Sequence, residues 1–110
     1  ENSKYLYENL KDNINLIFPQ KKFNQENIYI DFPILCKNKN YKDYIFSKSF
    51  ENYVDIKNYY YTSCDTQEIY SKYKDVDCEN AKFIAENILM IPVSKSQNKT
   101  NLDKIIKLFN

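Results

Sequence analysis

The sequence predicts a two-layer α/β (α+β) domain: a small, mostly antiparallel sheet with helices packed on one face. Three observations predict it. Apolar residues recur at helical spacing in several separate stretches. Period-two alternation marks two stretches between them, which is the spacing of strands. The last third reads helix, short strand, helix. At 110 residues the chain is one domain by length, with a modest core. We expect no second domain and see no internal repeats.

Helix one is expected over residues 4–18, with Leu6, Leu10, Ile14 and Ile17 on one face. Asn2 or Ser3 is placed to cap it and Pro19 to stop it. Residues 20–27 form a polar connection. A strand follows over 27–37, with Ile28, Ile30, Phe32 and Ile34 on one face and Tyr29, Asp31, Pro33 and Leu35 on the other. Pro33 has no N–H for a ladder, so it belongs at an edge or a bulge.

Residues 41–50 are expected to be helical, with Tyr41, Tyr44, Ile45 and Lys48 on one stripe and Phe46 and Phe50 beside it. Val54, Ile56, Asn58 and Tyr60 then alternate along a second strand. Residues 62–77 read as loop, with one helical turn near Glu68 and Ile69, Tyr70 and Tyr73 as anchors. Asp77 is the expected N-cap of helix three, whose core face is Ala81, Ile84, Ala85 and Ile88. A short strand over 89–93 leads to the last helix. Thr100-x-x-Asp103 resembles its capping box, and Leu102, Ile105, Ile106 and Phe109 form its apolar face.

Composition narrows the function. Hydrophobic residues make up 43% and charged residues 28%, as in an ordered globular protein. The net charge of +1 provides no field to gather nucleic acid or an anionic membrane. No apolar run approaches the ~20 residues of a membrane span, and no signal pattern opens the chain, so the expected compartment is the cytoplasm. There is no Gly and no His, and all 16 basic residues are Lys. An AT-rich genome explains that bias. Turns that usually take Gly must then use other residues, with Asn and Asp the best suited. Three cysteines, Cys36, Cys64 and Cys78, without paired spacing argue against a disulfide framework or a zinc site.

Four landmarks occur in order. The first is the strand Ile30-Asp31-Phe32-Pro33-Ile34-Leu35. The second is the helix over 41–50 followed by Val54-Asp55-Ile56-Lys57. The third is the aromatic run Asn58-Tyr59-Tyr60-Tyr61. The fourth runs from Cys78-Glu79-Asn80-Ala81-Lys82 through Leu89-Met90-Ile91-Pro92-Val93 to Asn101-Leu102-Asp103-Lys104-Ile105-Ile106. The ordered set resembles the C-terminal end of the DegT/DnrJ/EryC1/StrS aminotransferases, pyridoxal-phosphate enzymes that mostly aminate nucleotide-linked sugars. The sequence departs from that family's pattern in places. About Tyr53, beside Asn52, stands where a Gly is usual before the second strand. Glu79 follows Cys78 where Pro is usual. Tyr61 or Thr62 replaces another Pro, and no His flanks the aromatic run.

The resemblance implies the C-terminal small domain of such an enzyme, with residues 1–110 as one unit. The Schiff-base Lys, the Asp on the pyridine nitrogen and the phosphate-binding residues of the family lie in a large N-terminal domain that is not in this sequence. Pyridoxal phosphate is therefore expected in the intact enzyme and not on this piece, which should not catalyse alone. The implied partners are that large domain, a second subunit in a homodimer and a nucleotide-sugar substrate. The candidate substrate-binding residues are Tyr59, Tyr60 and Lys57. A phenol can stack on a ring and hydrogen-bond a sugar or phosphate, and Lys57, where the family often has Arg, offers a point charge. Plain packing is the competing explanation: alternation buries Tyr60 in the core and leaves Lys57 in solvent. A different class, a stand-alone α/β module binding protein or single-stranded nucleic acid, draws on the Tyr and Lys abundance but not on the charge balance.

Overall fold

A computed structural model describes residues 1–20, 28–58, 62–73 and 77–110. The elements are α1 (Asn2–Leu10), β1 (Leu16–Ile17), β2 (Asp31–Cys36), α2 (Lys39–Glu51), α3 (Glu79–Asn87), β3 (Ile88–Pro92) and α4 (Lys99–Phe109). Two 3-10 turns, Cys64–Thr66 and Glu68–Tyr73, lie between α2 and α3. The strands form one antiparallel sheet in the order β1-β2-β3. The mixed α/β class and the antiparallel sheet are as the sequence predicts.

Alternation along the strands divides the sheet into two faces. Phe32, Ile34 and Cys36 of β2 and Leu89 and Ile91 of β3 point into the core. There they meet Leu6 and Leu10 of α1, Ile45 of α2 and the apolar face of α4. The expected α4 face is correct, with Leu108 added to Leu102, Ile105, Ile106 and Phe109. Its last turn is tied down from outside, because Asn13 Nδ2 (2.8 Å) and the Tyr41 hydroxyl (3.1 Å) both donate to the Phe109 carbonyl.

Several expected boundaries move, each for a local reason. Helix one ends at Leu10, not at residue 18. Asn13 Oδ1 accepts the Asn15 N–H at 2.9 Å, and the Asn13 carbonyl accepts the Leu16 N–H at 3.1 Å. That local bonding outcompetes the helix and turns the chain into β1. Ile14 is consequently exposed, and Leu16, not Ile17, enters the core. Asn2 does not cap α1. Its amide donates to the Ser94 carbonyl at 3.0 Å, fastening α1 to the turn before α4.

β2 starts at Asp31, so Ile28 and Ile30 are 98% and 89% exposed and do not share the face of Phe32. Pro33 sits in the middle strand of the sheet. It is tolerated because β1 pairs only with Leu35 and Cys36, leaving Pro33 with β3 as its one neighbour in the sheet. The buried stripe of α2 is Lys42, Ile45 and Ser49; of the expected stripe of Tyr41, Tyr44, Ile45 and Lys48, only Ile45 is buried. Tyr44 is exposed, with the Lys48 ammonium 5.0 Å from its ring centroid. Ile69, Tyr70 and Tyr73 are exposed and anchor nothing in the core. The cap of α4 is Asn98, whose side chain accepts the Asn101 N–H at 2.9 Å, and not Thr100.

Candidate functional site

The segment that leads to the candidate residues begins at the end of α2. Asn52 caps that helix and Tyr53 follows with φ 54°, a left-handed conformation that favours Gly. The Val54 N–H donates to the Ser49 carbonyl at 2.8 Å and the Tyr53 N–H to the Phe50 carbonyl at 3.2 Å, the two bonds of a Schellman cap. Tyr53 thus occupies the geometry of the missing Gly. Its side chain is 97% exposed, so nothing inside the fold selects it.

From this cap the chain runs along the open side of β3. Ile56 enters the core. Lys57 and Met90 exchange two backbone bonds of 2.9 Å, the one bridge of the expected second strand among the described residues. Neighbouring side chains then point to opposite faces. Asn58 Oδ1 accepts from the Lys42 ammonium at 3.5 Å on the core side. Lys42 is buried, and Asp43 at 3.1 Å balances its charge.

Lys57 reaches across β3 on the other face and donates to both carboxylate oxygens of Asp31, at 3.1 and 3.2 Å. The Asp31 side chain is 8% exposed and that of Lys57 29%, so the pair is partly desolvated and stronger than a surface ion pair. Lys57 can still meet an anion, but only while sharing its ammonium with Asp31. Tyr59 and Tyr60, the other candidate residues, and Tyr61 lie outside the described residues.

The outer face of the sheet continues beyond this ion pair as apolar surface. Pro33, Leu35 and Ile88 line a cleft of about 210 Å³ with Ile17 and with Ile84 of α3. A larger groove, about 630 Å³, adjoins it through the shared Ile84 and Ile88. Its walls are α3, through Ala81 and Ala85, and the chain from Thr62 to Asp65. This explains where the predicted core face of α3 went. Only Ala85 of that stripe is buried; Ala81 and Ile84 are exposed and Ile88 half-buried, turned to the groove. Sequence reasoning missed this groove because an apolar helical stripe reads the same whether it meets the core or a second surface.

Two of the cysteines, Cys64 and Cys78, line this groove. Cys78 is the N-cap of α3, and its N–H donates to Asp65 Oδ2 at 3.0 Å. Cys64 and Cys78 are both exposed, and Cys36 is buried. Asp77, expected as the cap, stands one residue outside it and is exposed. Among the described residues, no three His, Cys, Asp or Glu side chains gather as a metal site, and no helix is long and apolar enough to cross a membrane.

Comparison with known proteins agrees with this geometry. The model of the DegT/DnrJ/EryC1/StrS aminotransferase family matches residues 1–110. A crystal structure of a DegT/DnrJ/EryC1/StrS aminotransferase from Brucella abortus superposes with a TM-score of 0.77 at 18% identity, covering 98% of this chain and 28% of that one. A protein from Bacillus cereus assigned as a PLP-dependent aminotransferase superposes with a TM-score of 0.74 at 20% identity, covering 98% of this chain and 30% of that one. Identities this low show the shared fold. The chain spans under a third of either structure. No curated protein matches the sequence.

A pyridoxal-phosphate site needs a lysine amine held against a cavity. The two clefts above, and a third beside Asn13 and Phe109, are lined by no lysine. Buried Lys42 and half-buried Lys57 are each held by a carboxylate, and half-buried Lys48 lies over the Tyr44 ring. The lining of these three clefts does not fit the cofactor.

Proposed function

Because the chain belongs to the DegT/DnrJ/EryC1/StrS aminotransferase family, we propose that it is the C-terminal small domain of a pyridoxal-phosphate-dependent aminotransferase acting on a nucleotide-linked keto-sugar. The observation that carries this reading is the family match over the whole chain, joined to a likeness that covers only 28% of the Brucella enzyme. The amino group would come from an amino acid such as glutamate. The cofactor and its lysine would belong to a large domain in the same polypeptide, and the working unit would be a cytoplasmic homodimer.

In this reading the chain is one wall of the substrate cleft. The Schellman cap at Tyr53, the Met90 bridge and the Lys42–Asn58 contact hold the backbone that leads into Tyr59 and Tyr60. Those two phenols would bind the sugar or its nucleotide. Lys57, oriented by Asp31, would face the substrate's phosphates as a point charge. The apolar outer face would be covered by the large domain, since surfaces of this kind are normally buried.

The test is transfer of the amino group from glutamate to a nucleotide-linked keto-sugar. It is measured for the 110-residue chain alone and for the chain joined to a cofactor-binding domain of this family. Activity confined to the joined protein supports the proposal. Activity of the isolated chain, or none in a joined protein that retains cofactor, contradicts it.

A further inference from the structure

α2 carries a charged side chain in its buried stripe. Lys42 stands there with Ile45 and Ser49 and is 5% exposed. Burying an ammonium costs folding free energy, and a Met would fill the same stripe without that cost. Among the described residues its partners are Asp43 Oδ1 at 3.1 Å and Asn58 Oδ1 at 3.5 Å. Asp43 supplies the counter-charge, but its side chain is 52% exposed, so that pair adds little to stability. Cys36 lies in the field of the same ammonium, yet burial pushes its thiol up to about 12, so it stays neutral. At Asn58 the buried charge reaches the segment that carries Lys57. A contact of 3.5 Å is long for a hydrogen bond, and its hold is that of a charge on an amide dipole, strengthened where water is scarce.

We propose that Lys42 is a positioning residue, which acts through Asn58 to aim the Lys57 ammonium at the substrate's phosphates. The proposal rests on the aminotransferase reading above. The chain after α2 meets β3 through one bridge among the described residues, Lys57 with Met90. A lone bridge fixes where the segment lies and leaves it free to twist about those bonds. Lys57 and Asn58 are neighbours that point to opposite faces, so each side chain is a handle on that twist. Asp31 holds the outer handle, at 3.1 and 3.2 Å from the Lys57 ammonium. Lys42 holds the inner one. With Asn58 released, the peptide turns and carries the Lys57 ammonium away from the place where an incoming anion can share it with Asp31. Lys42 itself stays buried and touches no substrate.

The experiment is a double-mutant cycle in the chain joined to a cofactor-binding domain of this family, read by steady-state kinetics. Lys42→Met and Asn58→Leu should each raise the KM for a nucleotide-linked keto-sugar about fivefold, the worth of one hydrogen bond, with kcat and the KM for glutamate unchanged. The double variant should be no worse than either single one, because both remove the same contact. Asn58→Asp, which keeps an acceptor for the ammonium, should keep the parental KM. Lys42→Met should unfold in urea at or above the parental midpoint, since the Asp43 it leaves behind is open to water. In the 110-residue chain, amide hydrogen exchange at Lys57 and Met90, which form the bridge, should quicken in Lys42→Met and not in Asn58→Asp. Additive effects in the cycle, a lower kcat at parental KM, or unchanged exchange at Lys57 would overturn the proposal. A parental KM in Lys42→Met beside a raised one in Lys57→Met would overturn the positioning role alone. A parental KM in Lys57→Met would overturn the substrate role of Lys57, and this proposal with it.

Discussion

Replacing Tyr53 by Gly should stabilise the protein by about 0.5–1 kcal/mol, the net of two opposed effects. At φ 54° the Tyr53 backbone is left-handed. A residue with a Cβ pays roughly 1–2 kcal/mol to adopt that conformation. Gly removes the clash but loses more chain entropy on folding, which returns roughly 0.5–1 kcal/mol of the gain. Little else changes, because the side chain is 97% exposed and the cap bonds from the Tyr53 and Val54 N–H groups are made by the backbone. Tyr53→Val isolates the conformational effect: a branched Cβ fits this region worst, and the variant should fall below the parent by about 1 kcal/mol. Urea unfolding is the assay, read as a shift of the midpoint at unchanged slope. A Gly variant less stable than the parent, or a Val variant equal to it, would refute the assignment of Tyr53 as a Gly substitute in a Schellman cap.

Three further outcomes are expected. Lys57→Met, which strands the nearly buried Asp31 carboxylate, should cost about 1–3 kcal/mol in urea unfolding, and Asp31→Asn made with it should recover part of that loss. Asn98→Ala should cost about 1 kcal/mol by removing the α4 cap, with Thr100→Ala near neutral; the reverse order would restore Thr100 as the cap. Above pH 9, the ordinary value for its thiol, Cys36 is deprotonated in the unfolded chain but holds its proton in the folded one up to about 12. The unfolded state then binds fewer protons, so stability should fall with rising pH across that window by up to ~1.4 kcal/mol per pH unit. Cys36→Ala should flatten that fall, as unfolding midpoints at several alkaline pH values would reveal.

What the sequence made legible was regular and local. The α4 stripe and the inward alternation of Phe32 and Ile34 follow from periodicity, because those residues meet one core. The errors arose where side chains of Asn compete with regular structure. Asn13 ended α1, Asn98 captured the α4 cap, and Asn2 left its helix to hold the Ser94 turn. In a chain without Gly, Asn is spread through helices, turns and caps alike, so its identity does not say which role it takes. The turn at Asp12-Asn13, inside an otherwise helical pattern, was the available signal. Periodicity also shows that a stripe is apolar without showing what it faces, which is why Ile84 and Ile88 read as core. The Lys57–Asp31 pair depends on register across β3, and no local pattern shows register.

The central claim is that this chain contributes a substrate-binding wall and not a catalytic centre. Its most direct test is steady-state kinetics of Lys57→Met, Tyr59→Phe and Tyr60→Phe in the chain joined to its cofactor-binding domain, with bound pyridoxal phosphate quantified in each. The account predicts unchanged cofactor content and a KM for the nucleotide-linked keto-sugar raised about tenfold by at least one variant, equivalent to ~1.4 kcal/mol of lost binding, while the KM for glutamate stays constant. Parental kinetics in all three variants, or loss of bound cofactor in any of them, would contradict it.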